Sequence, residues 1–491
     1  GSILAPFVAG WQEPCCGASG LLIRSGSMAS QRTSSAVEVL IELDRGSAQH
    51  LHHQLEQQVR EAVRSGRFEA GMTMPSTRAL ARELGVTRGV VVEAYEQLVA
   101  ECYLYAVPGG ATRVTDCIVE PRRSPPPDVP AAYRHDFRPG RPDLTEFPRS
   151  EWLRSAKRAL GNAPAERLGY LGGHGVPELR TALSTYLDRA RGTSTDPADI
   201  VITSGFIQSL QLIARVVLRS GRTRVAVEDP WHEDYRRALR AAGLEVVAVP
   251  VDREGLVVDR LADIEPGLVV ITPAHQYPTG AVLSAERRAR LLEWAELHDS
   301  LIVEDDYDAE FRYDREPIGA LQGLDPDRVI YAGTASKTLA PGLRLGWLAV
   351  PQRLSKRVAR AKLAADYGSG AIDQLTLADF IARGEIDRHL RRMRKVYRGR
   401  RDALLAGLVA QLPMLEPMGA SAGLHVMTHL PASVDESALV QAAAEQGVGL
   451  SGAAATYALH ARPGLVFGYA TVREHEVEPA LAHIAGCTGW A

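Results

Sequence analysis

The stretch TASKTLAPGLRLGW, residues Thr334 to Trp347, places one lysine, Lys337, among hydroxyl side chains and seven residues ahead of Arg344. A lysine amine condenses with an aldehyde to form a Schiff base, while a nearby guanidinium and small hydroxyls neutralise and hydrogen-bond a phosphate. An aldehyde and a phosphate carried on one small ring describe pyridoxal 5'-phosphate (PLP), and this spacing suits its capture. Lys337 is therefore the expected Schiff-base residue, with Thr334, Ser336 and Arg344 as candidates around the phosphate.

Outward from this stretch, apolar runs alternate with helical ones. The runs are DIVITSG, TRVAVEDP, GLEVVAVPV, GLVVITPA, SLIVEDDY, DRVIYAGTASK and LRLGWLAV. Buried strands separated by amphipathic helices predict an α/β fold with a mainly parallel sheet, whose ligands sit at the carboxyl ends of the strands. The chemically interesting residues fall at those ends. In VITSGFIQSL, Ser204, Gly205 and Phe206 open a helix and offer backbone amides to an anion. In TPAHQYPTG, His275 and Tyr277 end another strand. In VEDDYDAEFRY, Asp305 and Tyr307 suit the two needs of a pyridoxal ring: an acid against the ring nitrogen and a phenol near the ring oxygen. Each segment alone has an ordinary reading, as a helix cap, a loop histidine or solvated carboxylates. Their shared position at strand ends, in this order, favours one cofactor site.

Composition sets the frame. The chain has 491 residues, 45% of them hydrophobic and 23% charged, which predicts a soluble globular protein of roughly two to four domains. No apolar run approaches a membrane span, so no membrane role is expected. The five cysteines, Cys15, Cys16, Cys102, Cys117 and Cys487, give neither a disulfide framework nor zinc-ligand spacing, and no metal is expected. A reducing cytoplasm fits. Residues 1–36 read as a disordered tail, with Gly1-Ser2 resembling a cloning scar and Met28 as the biological start.

The amino-terminal part has a different character. In residues 47–66, Leu51, Leu55, Val59 and Val63 recur every four positions, predicting an amphipathic helix that ends at Gly66. In MPSTRALARELGVTRGVVVEAYEQLVAECYL, Ser76 is placed to cap a short helix, Gly85 permits a tight turn, and Thr87 is placed to cap a second helix with Val91, Ala94, Tyr95 and Leu98 inward. Tyr103 to Tyr105, the Pro108-Gly109-Gly110 turn and Ala111 to Val114 read as a two-stranded wing. Arg78, Arg82 and Arg88 stand near the helix starts, where side chains and amides meet phosphates or base edges, and Arg113 on the wing could add a further contact. Against this stands the charge of residues 37–116: eight arginines, no lysine and eleven acidic residues, a formal net of −3.

The Pro-rich segment within Glu120 to Pro130 marks a spacer. The expected organisation is a tail over 1–36, a winged helix-turn-helix DNA-binding domain over 37–116, a linker over 117–133 and a PLP-binding domain over 134–489.

The block with the core PSxRxLAxxLGVxR resembles the winged helix of GntR-type regulators. The phosphate turn, His-Gln-Tyr-Pro-Thr-Gly, Asp-x-Tyr and Ser-Lys-x6-Arg together resemble fold-type I, aspartate-aminotransferase-like PLP proteins over about residues 134–489. Joined, the two identify the chain as a member of the MocR/GabR family of regulators. The resemblance implies Lys337 as the Schiff-base lysine, Asp305 at the pyridine nitrogen and Tyr307 at the phenolic oxygen. It implies Ser204, Gly205, Phe206, Thr334, Ser336 and Arg344 around the phosphate, and Tyr170 reaching across a domain-swapped homodimer to the partner's phosphate.

Departures from the family pattern carry their own expectations. Val107 replaces a positive charge in the wing, and Cys102 stands where glycine is usual. Val466 lies near where amino-acid aminotransferases place an arginine for the substrate carboxylate, leaving Arg462 as the nearest substitute. The expected function is a PLP-binding transcriptional regulator, PdxR-like in its control of vitamin B6 metabolism, with double-stranded operator DNA as partner. Two alternatives stand beside it. One is a GabR-like sensor of an amino compound through an external aldimine; the other is a catalytic aminotransferase with a vestigial winged helix.

Overall fold

Apolar runs flanked by turn residues form the sheet expected of them. The structure is a computed structural model and describes residues 41–107, 110–116, 133–313 and 318–488. The expected tail over 1–36, the Pro108-Gly109 part of the wing turn and the spacer over 117–132 lie outside the described residues. Contacts divide the chain into two units, Gly1–Pro130 and Ala131–Ala491.

In the first unit, α1 (Leu51–Arg64), α2 (Thr77–Glu83) and α3 (Arg88–Ala100) pack around Leu55, Val59, Leu80, Val91 and Leu98, all fully buried. The hairpin of β1 (Leu104–Ala106) and β2 (Thr112–Val114) pairs Leu104 with Val114 and Ala106 with Thr112, which is the expected wing. Ser76 caps α2 by accepting a 3.2 Å hydrogen bond from the Ala79 amide. Thr87 stands at the cap position of α3, but its side chain makes no capping bond, so that expectation is corrected. Gly66, φ +74°, takes the left-handed conformation just after α1. Cys102 does so with a side chain, φ +60°, which explains why glycine suits that position: a Cβ there costs about 1–2 kcal/mol.

The second unit is built on an eight-stranded sheet of β3 (Ile200–Thr203), β4 (Arg224–Asp229), β5 (Glu245–Asp252), β6 (Gly255–Leu256), β7 (Leu268–Ile271), β8 (Leu301–Asp306), β9 (Val329–Thr334) and β10 (Gly346–Ala349). Its order is β3-β10-β9-β8-β7-β4-β5-β6. Strands β9, β8, β7, β4 and β5 pair in parallel, while β10 runs antiparallel to both neighbours. Because the parallel strands are buried on both faces, they carry continuous apolar runs rather than alternation. Helices α4 (Arg149–Asn162), α5 (Pro177–Arg191), α6 (Phe206–Leu218), α7 (Glu233–Ala241), α8 (Ala285–Leu297) and α9 (Gln352–Asp366) provide the layers around it. After α10 (Ala371–Ala382) and the long α11 (Glu385–Gln411), a smaller antiparallel sheet of β11 (Pro417–Met418), β12 (His425–His429), β13 (Ser451–Gly452) and β14 (Gly464–Gly468) packs with α12 (Glu436–Glu445) and α13 (Glu474–Thr488). Among the described residues, no helix is long and apolar enough to cross a membrane.

Candidate cofactor site

The carboxyl ends of the parallel strands converge on a cavity of about 260 Å3. Strand β9 ends at Thr334, and Lys337 follows in the next turn; β8 delivers Asp305, and Tyr307 lies just beyond it. The antiparallel pairing of β10 with β3 sets Gly346 opposite Thr203, which brings the loop before β10 beside the start of α6. There the Arg344 guanidinium lies so near Gly205 that a Cβ at that glycine would be 3.2 Å from Nη2. Gly205, φ +126°, precedes the first turn of α6, whose amides face outward as donors. Among the described residues, Arg344 has no ion-pair partner. A free guanidinium beside a helix amino terminus is a place for a phosphate.

The Lys337 Nζ donates a 2.7 Å hydrogen bond to the Gly140 carbonyl oxygen. Burial lowers the Lys337 pKa, with Asp305 and Asp308 pulling the other way. Its amine is thereby more readily neutral, the form that attacks an aldehyde. Burial likewise holds the Asp305 carboxyl well above its ordinary range, with Asp306 adding to the rise and Lys337 opposing it. Such a buried acid favours a cationic partner, as a protonated pyridine nitrogen would be. The Tyr307 hydroxyl donates to the His275 carbonyl oxygen at 3.0 Å, and burial followed by Asp308 raises its pKa.

An aromatic wall closes the cavity. Trp231 and His232 follow β4, Tyr235 stands on α7, and the ring centroids of Tyr235 lie 5.0 Å from Phe206 and 5.4 Å from Trp231. His232 stacks on Tyr277 at 5.7 Å. Burial pushes the Tyr277 hydroxyl up to about 12 and lowers the pKa of His232 and of His425.

Of the residues expected from the sequence, Gly205, Phe206, Tyr277, Asp305, Tyr307, Thr334, Ser336, Lys337 and Arg344 line the cavity. Ser204 does not; its amide donates to Gln208 Oε1 at 2.8 Å. His275 sits one layer behind, with Nδ1 3.1 Å from Asp308. Tyr170 is 93% exposed, outside its own chain's cavity, with its ring edge on Tyr367. Arg462 is exposed and not part of the lining. Val466 is buried in β14 opposite Met427, so an apolar pair occupies that part of the small sheet. Among the described residues, Arg344 is the one arginine of the lining.

Sequence reading missed Gly140, Trp231, His232, Tyr235, Asp308, Leu424 and His425. The run VEDPWHEDY, a strand end followed by aromatic residues, carried a readable signal for three of them. Gly140 and His425 come from distant segments and had none.

In the first unit, Ser76, Arg78, Arg82, Thr87, Arg88 and Arg113 are all exposed. Arg78 and Arg82 have no ion-pair partner among the described residues, whereas Arg60 is bound to Glu101 and Glu56. Arg88 Nε donates to Thr77 Oγ1 at 3.3 Å, and Arg113 Nη1 is tied to the Gly71 carbonyl oxygen at 2.9 Å. Arg78, in the first turn of α2, thus carries open positive charge; Arg82, expected near a helix start, lies instead in the last turn of α2, and Glu56 and Glu101 are engaged by Arg60.

Comparison with known proteins agrees with both units. Residues 51–114 match the bacterial regulatory proteins of the gntR family, and residues 142–484 match aminotransferase class I and II. The chain is 33% identical to the probable rhizopine catabolism regulatory protein MocR of Rhizobium meliloti, over 88% of this chain and 92% of that one. It is 32% identical to the HTH-type pyridoxine biosynthesis transcriptional regulator PdxR of Corynebacterium glutamicum, over 88% and 94%. The kynurenine aminotransferase of Pyrococcus horikoshii superposes with a TM-score of 0.67 at 27% identity, covering 73% of this chain and 91% of that one. With a gntR-type DNA-binding unit joined to a PLP-dependent aminotransferase fold, the chain belongs to the MocR-type family of transcriptional regulators.

Proposed function

We propose that this regulator controls vitamin B6 metabolism, with PLP itself as the effector held by Lys337. The observation that supports PLP alone is that, among the described residues lining the cavity, one arginine stands beside the α6 amides to serve one anion, and the one lysine is Lys337 itself. A second anion, such as an amino-acid carboxylate, finds Val466 and Met427 in the small sheet and Arg462 outside the lining. Likeness to a regulator of pyridoxine biosynthesis points the same way.

When bound, PLP supplies an aldehyde for a lysine amine and a ring able to accept electron density. The chain's own residues do the rest. Lys337 would provide the amine, Arg344 and the α6 amides would hold the phosphate, Asp305 would keep a proton at the ring nitrogen, and Tyr307 would serve the ring oxygen. Trp231, Tyr235 and Phe206 cover the site against water. We infer a homodimer in which the exposed Tyr170 of each chain reaches the other's site. Regulation is then linkage: PLP binds one dimer arrangement better than another, and that preference sets the spacing of the winged helices on operator half-sites.

A mobility-shift titration with the protein's own promoter region tests this. Affinity should change as PLP is added. A complex indifferent to PLP but responsive to a member of an amine and amino-acid panel would replace PLP by an amino compound. Turnover with a keto-acid acceptor and no DNA binding at low salt would overturn the regulatory reading.

A further inference from the structure

The first turns of α1 carry three histidines, His50, His52 and His53, in a unit whose DNA-reading surface lies on α2 and α3. His52 and Glu56 are four residues apart and His53 and Glu56 three, so both imidazoles share a helix face with that carboxylate. The His52 and His53 ring centroids are 4.1 Å apart, and one ligand atom from each of His52, His53 and Glu56 lies within 4.8 Å of the others. From α3, Glu93 Oε2 approaches His52 Nδ1 to 3.6 Å, and Glu56 Oε2 lies 3.3 Å from His53 Nδ1.

We propose that His52, His53 and Glu56, completed by Glu93, form a site for a divalent transition-metal ion that ties α1 to α3. Imidazole and carboxylate ligands bind zinc at about 2.0–2.2 Å, which makes the edge of a tetrahedron about 3.4 Å. The 3.3 and 3.6 Å separations, a hydrogen bond and an ion-pair approach as they stand, are close to that edge. Electrostatics favours a dication. Glu56 is 4% exposed at its side chain, and its neighbour Arg60 is shared with Glu101, to which it donates at 2.6 and 2.8 Å. Glu56 and Glu101 share the one Arg60 guanidinium, and Glu93, on the other side of His52, adds a further carboxylate to the site. Two imidazoles with carboxylates and no thiolate select zinc, nickel or cobalt over magnesium, which prefers oxygen ligands throughout. Since α3 begins at Arg88, such a tie would steady the helix that faces DNA.

The test is calorimetric titration of the chelator-washed full-length protein with zinc, nickel and magnesium chlorides. One zinc or nickel ion should bind per chain, with no measurable magnesium binding. His52→Ala/His53→Ala should weaken zinc at least about tenfold, the size that even outer partners of a metal site carry. Glu93→Gln, an exposed and near-isosteric change on α3, should weaken it as well, while His460→Ala/His475→Ala should not. Retained helical circular dichroism confirms that the variants fold. Absence of zinc and nickel binding, or affinity unchanged in the His52/His53 variant, overturns the site. Affinity unchanged in Glu93→Gln overturns the tie between helices.

Discussion

The Nζ of Lys337 sits 2.7 Å from the carbonyl oxygen of Gly140, a residue 197 positions earlier in the chain. Gly140 adopts φ +76°, and a Cβ there would lie 3.1 Å from that same nitrogen. The left-handed backbone and the close approach to the reactive lysine together favour a residue without a side chain at this position. Gly140→Ala should weaken PLP retention, because the added Cβ would stand 3.1 Å from Lys337 Nζ and crowd the amine that takes the cofactor. Equilibrium dialysis followed by the visible band of the bound cofactor measures this. Unchanged retention would remove the Gly140 contact from the account.

Arg344→Gln should weaken PLP about tenfold to a hundredfold, because a hydrogen bond to a charged group contributes about 1.5–3 kcal/mol. Pyridoxal without the phosphate should bind the variant and the parent alike. A titration in which both ligands lose affinity equally would place the phosphate elsewhere.

The pH dependence of capture follows from Lys337. Burial lowers its pKa below the ordinary 10.5, and the neutral amine is the nucleophile, so the rate of PLP uptake should rise with pH and level off at a midpoint below 10.5. Asp305 pulls that pKa up, so Asp305→Asn should shift the midpoint lower still. Stopped-flow absorbance gives both profiles. A midpoint that rises in the variant would contradict the assigned interaction.

On the DNA side, Arg78→Ala and Arg82→Ala should each reduce the slope of log affinity against log salt by about 1 if they neutralise phosphates. Arg60→Ala should leave the slope unchanged, because that guanidinium is held by Glu101 and Glu56. Fluorescence anisotropy over a salt series separates the two outcomes.

Much of the site was legible because parallel strands announce their carboxyl ends. Asp305, Tyr307, Thr334 and Lys337 each close a buried apolar run or follow one directly, and a ligand site at such ends is a general property of these sheets. Less was legible wherever the third dimension supplied the neighbour. Ser204 looked like a phosphate ligand, yet local competition from Gln208 takes its amide. His275 had the right motif, but its ring faces Asp308 and stands behind the wall that Tyr307 forms. Gly140 and His425 reach the cavity from separate segments, and no periodicity encodes such an approach. In the winged helix, the left-handed backbone at Cys102 accounts for a position where glycine would have been expected.

The central claim is that the occupied Lys337 site governs the winged helices. The most direct test is a set of binding isotherms on promoter DNA for the parent protein and Lys337→Ala, each with and without PLP. The parent should show the visible band of the bound cofactor and a PLP-dependent shift in DNA affinity, and the variant should show neither. A variant that keeps both the band and the shift would contradict the account at its centre.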